Sequence, residues 1–122
     1  MLFLAYCFTD DDLAQAMLER AEAGVQVRGV FDEGQAKSNL GGGYERSLEK
    51  GVEGRLDGNQ HAMHHKVILI DDQILITGSY NFSNNARTQN DENTLSILCS
   101  DVAALYREEF ERVWGEAEQL SK

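Results

Sequence analysis

The chain has little positive charge, few cysteines and no apolar run long enough to cross a membrane. Among its 122 residues, 11 basic side chains stand against 21 acidic ones, giving a net charge of −10. No global field therefore attracts nucleic acid or an anionic membrane, and any recognition of phosphate must be local. Cys7 and Cys99 lie far apart in apolar runs, without another cysteine or a histidine at metal-binding spacing nearby, and are interpreted as buried thiols.

The opening run, LFLAYCF at positions 2–8, lacks the basic flank of a signal peptide and the length of a membrane span. It is interpreted as a buried strand. No transmembrane segment is expected, and the cytoplasm is the default location because the chain shows no signal peptide. The closeness of Met1 to this strand leaves open that the chain is a fragment of a longer protein.

Strand-like and helix-like periodicities alternate along the chain, which predicts a single α/β domain over residues 1–122. We expect a mixed, mostly buried β-sheet flanked by helices on both faces. Residues 2–8 and 25–31 are predicted strands, joined by a helix from Thr9 as its N-cap to about Ala23. The short connection into the second strand favours a parallel right-handed crossover.

Later elements follow the same alternation. Residues 32–43, with three consecutive glycines, are predicted to be a flexible loop, followed by a helix at 44–49 and a strand at 52–56. A strand is predicted at 94–99, and Ser100 is expected to cap a final helix. The inward stripe of that helix, at helical spacing, consists of Val102, Tyr106, Phe110, Val113 and Trp114.

The segment HHKVILID, from His64 to Asp71, ends in an apolar run typical of a strand buried on both faces, but begins with two imidazoles and an ammonium group. On a strand, His64 and Lys66 share a face and lie roughly 7 Å apart, a gap that a phosphate could span. His65 points to the opposite face, where packing or solvent exposure is expected. A zinc site formed with His61 is disfavoured, since the spacing mixes strand faces and no cysteine is near.

The dipeptide Asp-Gln at positions 72 and 73 predicts a tight antiparallel hairpin with residues 74–80, although it is a weaker turn signal than Asn-Gly. With a two-residue turn, Lys66 falls opposite Ser79 and His64 opposite Asn81. All four side chains then converge on one face. A register slip of one residue would move half of them to the other face.

Three neighbouring residues also have predicted places. Gly78 lacks a side chain where a ligand could approach the backbone closely. Asp71 lies about 23 Å from His64 along an extended strand, so it is predicted to be structural. Glu92 lies where a loop re-enters a strand, a common position for a functional side chain, and is placed to hold an imidazole.

The spacing of these residues resembles the HKD signature of the phospholipase D superfamily. The pattern is His64-x-Lys66, four residues, Asp71, six residues, and then Gly-Ser-Tyr-Asn at positions 78–81. The pair Glu92-Asn93 and the opening AYCFT are similar to the compact nuclease-like members. The likeness extends from about Leu4 through the final helix. Compact members carry a further strand and helix before the AYCFT-like strand, so the resemblance implies that the chain lacks them or is the second half of a protein with two HKD motifs.

The resemblance implies a metal-independent phosphodiesterase without a cofactor, whose site forms where two HKD motifs meet across a two-fold axis, in a homodimer or with another domain. His64 of one half would attack phosphorus to give a phosphohistidine, while its counterpart protonates the leaving oxygen and later activates water. Lys66, Asn81 and Ser79 would bind the phosphoryl oxygens. Glu92 would accept the far ring N–H of an imidazole and fix its tautomer.

The similarity to compact nuclease-like members favours nucleic acid as the substrate. Only Lys66 and Arg87 are basic between positions 57 and 93, however, and a nucleic-acid groove needs several cations. Hydrolysis or transfer of a phospholipid headgroup is therefore the alternative. The second alternative is a non-catalytic module that binds phosphate or scaffolds a complex, a role that does not require a nucleophile.

Overall fold

One mixed sheet organises the chain in its computed structural model, which describes residues 1–38, 44 and 51–119. The strands are β1 (Leu2–Ala5), β2 (Arg28–Phe31), β3 (Glu53–Leu56), β4 (Lys66–Ile70), β5 (Ile74–Gly78), β6 (Thr94–Leu98) and β7 (Glu118–Gln119). Their order is β6-β5-β4-β1-β2-β3-β7. Strand β2 pairs in parallel with β1 and with β3, whereas the other neighbours are antiparallel. The predicted mixed sheet is confirmed.

The helices within these ranges are α1 (Asp11–Glu22), α2 (Glu33–Ser38), α3 (Asn84–Thr88) and α4 (Ser100–Glu116). Helix α1 begins after Asp10, whose carboxylate accepts hydrogen bonds from the backbone N–H groups of Asp12 and Leu13 at 3.0 and 3.2 Å. The prediction of Thr9 as the N-cap is therefore wrong by one residue. None of the helices in the described ranges is long and apolar enough to cross a bilayer.

Helix α2 occupies part of the stretch that was predicted to be a flexible loop. The Asp32 carboxylate accepts a hydrogen bond from the Gln35 backbone N–H at 3.0 Å, and the Asp32 carbonyl accepts one from the Ala36 N–H at 2.9 Å. These bonds satisfy the first turn of a helix, so the loop prediction is wrong for residues 33–38. Residues 39–43, and the predicted helix at 44–49 apart from Tyr44, lie outside the described residues.

Two apolar layers enclose the sheet. In β1, Phe3 and Ala5 belong to the cluster that includes α1, whereas Leu2 and Leu4 belong to the cluster that includes α4. This alternation follows from the two-residue period of a strand and places helices on both faces, as predicted. The inward stripe of α4 is confirmed, with two of its members buried and three partly buried against the same cluster: Phe110, Val113, Val102, Tyr106 and Trp114.

The β4–β5 hairpin differs by one residue from the predicted register. Ile70 pairs with Ile74 and Val67 with Thr77, so residues 71–73 form a three-residue turn. Asp71 and Asp72 both have a φ of 55°, and the Gln73 N–H donates to the Ile70 carbonyl at 3.1 Å. Aspartate tolerates the left-handed region better than most residues with a side chain, which allows this longer turn.

The register shift changes the residue opposite Lys66. Extending the observed ladder by one step places Lys66 opposite Gly78, so the predicted pairing with Ser79 is wrong. The cysteine prediction also needs correction, because Cys7 and Cys99 are half-buried free thiols rather than fully buried ones. Burial raises the pKa of the Cys7 thiol, and a hydrogen bond with Thr9 partly offsets that effect.

Candidate active site

His64 and Lys66 lie in direct contact at the start of β4. Lys66 is the first residue of that strand, whereas His64 belongs to the irregular segment before it, residues 57–65. The Lys66 ammonium contacts Nδ1 and Nε2 of His64 at 2.9 and 3.1 Å and donates a hydrogen bond to the His64 carbonyl at 2.7 Å. The strand thus begins two residues later than predicted, and the two side chains are in contact rather than the roughly 7 Å apart expected for alternate residues of a strand.

The Lys66 ammonium group lies in a largely buried, poorly hydrated position. The residue is only 9% exposed, and burial lowers the pKa of its ammonium group, an effect that the nearby Glu92 carboxylate opposes. Its Nζ atom lies 5.3 Å from the centre of the Tyr6 ring, within the range of a cation–π interaction. A cation that is poorly hydrated interacts strongly with a phosphoryl oxygen that displaces its remaining water.

Tyr6 contacts His64, and this contact was not predicted from the sequence. Its ring centre lies 4.6 Å from that of His64, and its hydroxyl oxygen accepts a hydrogen bond from Gln35 Nε2 at 3.2 Å. The backbone N–H of Tyr6 donates to the His65 carbonyl at 3.0 Å. The only signal in the sequence was the place of this tyrosine in the AYCFT segment, which does not specify a contact with His64.

Glu92 and Ser79 form a second polar pair. The Ser79 hydroxyl donates to Glu92 Oε1 at 2.6 Å and accepts from the Asn93 backbone N–H at 3.1 Å. Glu92 Oε2 accepts from Asn90 Nδ2 at 3.2 Å. Both oxygens of the carboxylate predicted to orient an imidazole are thus engaged by neighbours in the same chain. The electrostatic interaction between Glu92 and Lys66 connects this pair to the first one.

Gly78 and Asn81 occupy tight positions near this pair. A Cβ atom on Gly78 would lie 2.2 Å from the Asn93 carbonyl oxygen, so the observed reason for glycine is backbone packing. Asn81 Oδ1 is buried without a hydrogen-bond donor among the residues that the structure describes. The predicted convergence of four side chains is therefore incomplete: His64 contacts Lys66, while Ser79 contacts Glu92.

Two buried carboxylates hold the segment before His64, and sequence reasoning missed both. Asp32 Oδ1 accepts a hydrogen bond from the Met63 backbone N–H at 2.9 Å, and Asp57 Oδ1 accepts one from the Glu33 N–H at 2.7 Å. Burial raises the pKa of Asp57, and the hydrogen bond from Glu33 partly opposes that change. The sequence indicated only that Asp57 belongs to a turn, because its partner is distant in the chain.

Asp71 lies in the hairpin turn, at the opposite end of β4 from Lys66. It is thus separated from the paired His64 and Lys66 side chains, in agreement with the distance expected along the strand. His61 is exposed in the irregular segment, where its backbone N–H donates to Asn59 Oδ1 at 3.0 Å. Over the described ranges, no group of three or more histidine, cysteine, aspartate or glutamate side chains is arranged to hold a metal ion.

The mixed sheet with helices on both faces is that of a phospholipase D-like domain. The chain belongs to the family described as "Cardiolipin synthase, PLD-like domain", whose model matches residues 1–114.

Curated relatives carry two kinds of name. The mitochondrial cardiolipin hydrolases of Homo sapiens and Chlamydomonas reinhardtii are 36% identical over 110 residues and 31% identical over 109 residues. Each alignment covers 89% of this chain, but 43% and 48% of the respective relative. A phospholipase D of Rickettsia bellii is 32% identical over 102 residues, covering 84% of this chain and 50% of the relative. The chain thus spans about half the length of these relatives.

Solved structures show the same fold over nearly the whole chain. The phospholipase D family member Nuc from Salmonella typhimurium superposes with a TM-score of 0.87 at 30% identity, covering 98% of this chain and 80% of Nuc. NucT from Helicobacter pylori superposes with a TM-score of 0.91 and the same coverage, but at 23% identity it supports the fold alone.

Proposed function

We propose that this chain supplies one half of a metal-independent phosphodiesterase site with His64 as its reacting group. The observation that carries the proposal is the exposed His64 imidazole in contact with the buried Lys66 ammonium. An imidazole is a competent nucleophile and proton carrier near neutral pH, and an adjacent cation stabilises the charge that develops on a phosphoryl group. Neither role requires a metal ion.

The proposed reaction has two steps. A ring nitrogen of one His64 attacks phosphorus, so that an N–P bond forms while the bond from phosphorus to the leaving oxygen breaks. The counterpart His64 of the second motif donates its proton to that oxygen, then accepts a proton from water as the water attacks phosphorus and the N–P bond breaks. Lys66 and Asn81 bind the phosphoryl oxygens in this scheme. Ser79 joins them when its hydroxyl turns from Glu92 to the phosphoryl group, which frees Glu92 to orient the imidazole of the counterpart.

This chemistry requires a second HKD motif, because the nucleophile and the acid are separate imidazoles. The HKD histidine of this chain is exposed and thus accessible to a partner. A second copy of the chain, or another domain of the same type, would supply the counterpart across a two-fold axis.

For the substrate we propose a phospholipid diester. A single diester needs one local cation, whereas a nucleic-acid strand needs several along its length. Of the two basic side chains between positions 57 and 93, Lys66 contacts His64, and Arg87 is paired with Asp12 and, at 3.4 Å, with Asp10. The names of the curated relatives agree with a phospholipid. Nucleic acid, which the sequence favoured, is the second candidate, supported by the extensive match to Nuc.

The first test is hydrolysis of an aryl phosphodiester in the presence of a chelator. We expect turnover by the assembled wild-type protein and a loss of at least about 10³-fold in kcat for His64→Ala, because removal of a covalent nucleophile abolishes the main pathway. His61→Ala is the matched control, since it removes an exposed imidazole from the same segment. Comparable rates for the two variants would contradict the role of His64.

The intermediate and the substrate need separate measurements. Acid quenching followed by mass spectrometry should find a phosphoryl group on His64 during turnover. Release of the headgroup from phosphatidylcholine vesicles, without cleavage of single-stranded DNA at low salt, would support the phospholipid proposal, and the reverse pattern would support the nuclease. Absence of all turnover in a confirmed dimer would favour the non-catalytic module, while activity that appears only with added metal would contradict the metal-independent mechanism.

A further inference from the structure

The residue next to the proposed nucleophile contacts a different part of the fold. We propose that His65 is a positioning residue, whose hydrogen bond to Glu109 on α4 holds the irregular segment so that His64 faces Tyr6 and Lys66. This inference rests on the proposed function of His64. From the sequence alone, His65 was expected only to pack against the fold or to be exposed to solvent.

In the hydrogen bond between His65 and Glu109, the imidazole is the donor and the carboxylate is the acceptor. His65 Nε2 lies 2.8 Å from Glu109 Oε2. Arg112 binds the same carboxylate with two hydrogen bonds: its Nε donates to Oε1 at 2.7 Å, and its Nη2 donates to Oε2 at 3.0 Å. The hydrogen bonds from Arg112, followed by the one from His65, lower the pKa of Glu109 to about 2. An ionised carboxylate only accepts hydrogen bonds, so His65 Nε2 carries the proton and donates it.

A cavity of about 80 Å³ lies between the irregular segment and α4. Its lining includes Met63, His64, His65, Arg112, Val113 and Glu116. Two hydrogen bonds join the segment to other parts of the fold: the Met63 backbone N–H donates to Asp32 Oδ1, and the His65 carbonyl accepts from the Tyr6 backbone N–H. Met63 is buried in the cluster that includes α4, and the His65 side chain adds a polar contact from the segment to the same helix.

The placement of His64 is linked to that of its neighbour. The two adjacent rings contact different parts of the fold: His64 lies against Tyr6, while His65 reaches Glu109 on α4. A bond that fixes His65 on α4 therefore also restricts the backbone that carries His64. Small displacements of a reacting group can lower a rate by up to about 10²-fold.

The test compares variants of the full chain in the aryl phosphodiester assay. Glu109→Ala and His65→Ala should each lower kcat by about tenfold or more, with little change in KM, and the double variant should be no worse than either single one. His65→Gln should recover part of the loss, because its amide can still donate to Glu109. Glu116→Ala is the matched control, since it removes the other carboxylate bound by Arg112, at 3.2 Å, and leaves His65 paired.

A second readout is independent of catalysis. Proton NMR should detect a nuclear Overhauser effect between the rings of His64 and Tyr6, whose centres are 4.6 Å apart, in wild type and in Glu116→Ala. The effect should weaken in Glu109→Ala when both proteins are compared well below their melting temperatures, where each is fully folded. An unchanged effect in Glu109→Ala, or unchanged kcat, would overturn the inference. If wild type itself shows no turnover, the proposed function fails, and the NMR comparison alone then decides whether His65 positions His64.

Discussion

The N-terminus of α1 allows a quantitative test of how this fold is held together. Asp10 is only 5% exposed, and its carboxylate accepts hydrogen bonds from two backbone N–H groups of the first turn, those of Asp12 and Leu13. Asp10→Ala leaves both donors without that partner. Loss of such a cap costs about 0.5–2 kcal/mol, and the burial of this one favours the upper half of the range, about 1–2 kcal/mol. The exposed Arg87 keeps its ion pair with Asp12.

Urea unfolding followed by circular dichroism at pH 7 measures this cost. For a domain of this size, the free energy of unfolding should fall by about 1–2 kcal/mol and the melting temperature by about 3–8 °C, with an unchanged m-value. Asp10→Asn should lie within a few tenths of a kcal/mol of wild type, because asparagine retains the accepting oxygen. Thr9→Ala is the control. If Thr9→Ala destabilises the protein as much as Asp10→Ala does, the assignment of the cap to Asp10 is wrong.

Two further predictions concern the site and its support. Gly78→Ala should lower both the melting temperature and aryl phosphodiester turnover, because the added methyl group would lie 2.2 Å from the Asn93 carbonyl and must displace the backbone beside Ser79; unchanged melting would contradict this packing. Glu109 has its pKa lowered from 4.5 to about 2, so it stabilises the fold above about pH 4.5, and this contribution is lost as the pH falls towards 2. The difference in urea midpoint between wild type and Glu109→Gln should therefore be larger at pH 6 than at pH 3, and equal differences would exclude the linkage.

The class of the fold and the spacing of the HKD-like motif could be predicted from the amino-acid sequence alone. Hydrophobic periodicity indicated a mixed sheet with helices on both faces, and the stripe on α4 from Val102 to Trp114 is the one that packs. The spacing of His64, Lys66 and Asp71 resembles the signature of the phospholipase D superfamily. These features depend on residues close together in the chain, where local periodicity and side-chain chemistry carry the information.

The register of the hairpin and the partners of the site residues, by contrast, depend on long-range packing. A three-residue turn with Asp71 and Asp72 in the left-handed region moved the ladder by one residue, a choice that the weak Asp-Gln signal did not specify. The contact of Tyr6 with His64 and the bond between His65 and Glu109 each join residues more than 40 positions apart. Such contacts form only when strands and helices that are distant in the chain pack together. Their stability depends on several elements at once, so no local stretch of sequence specifies them.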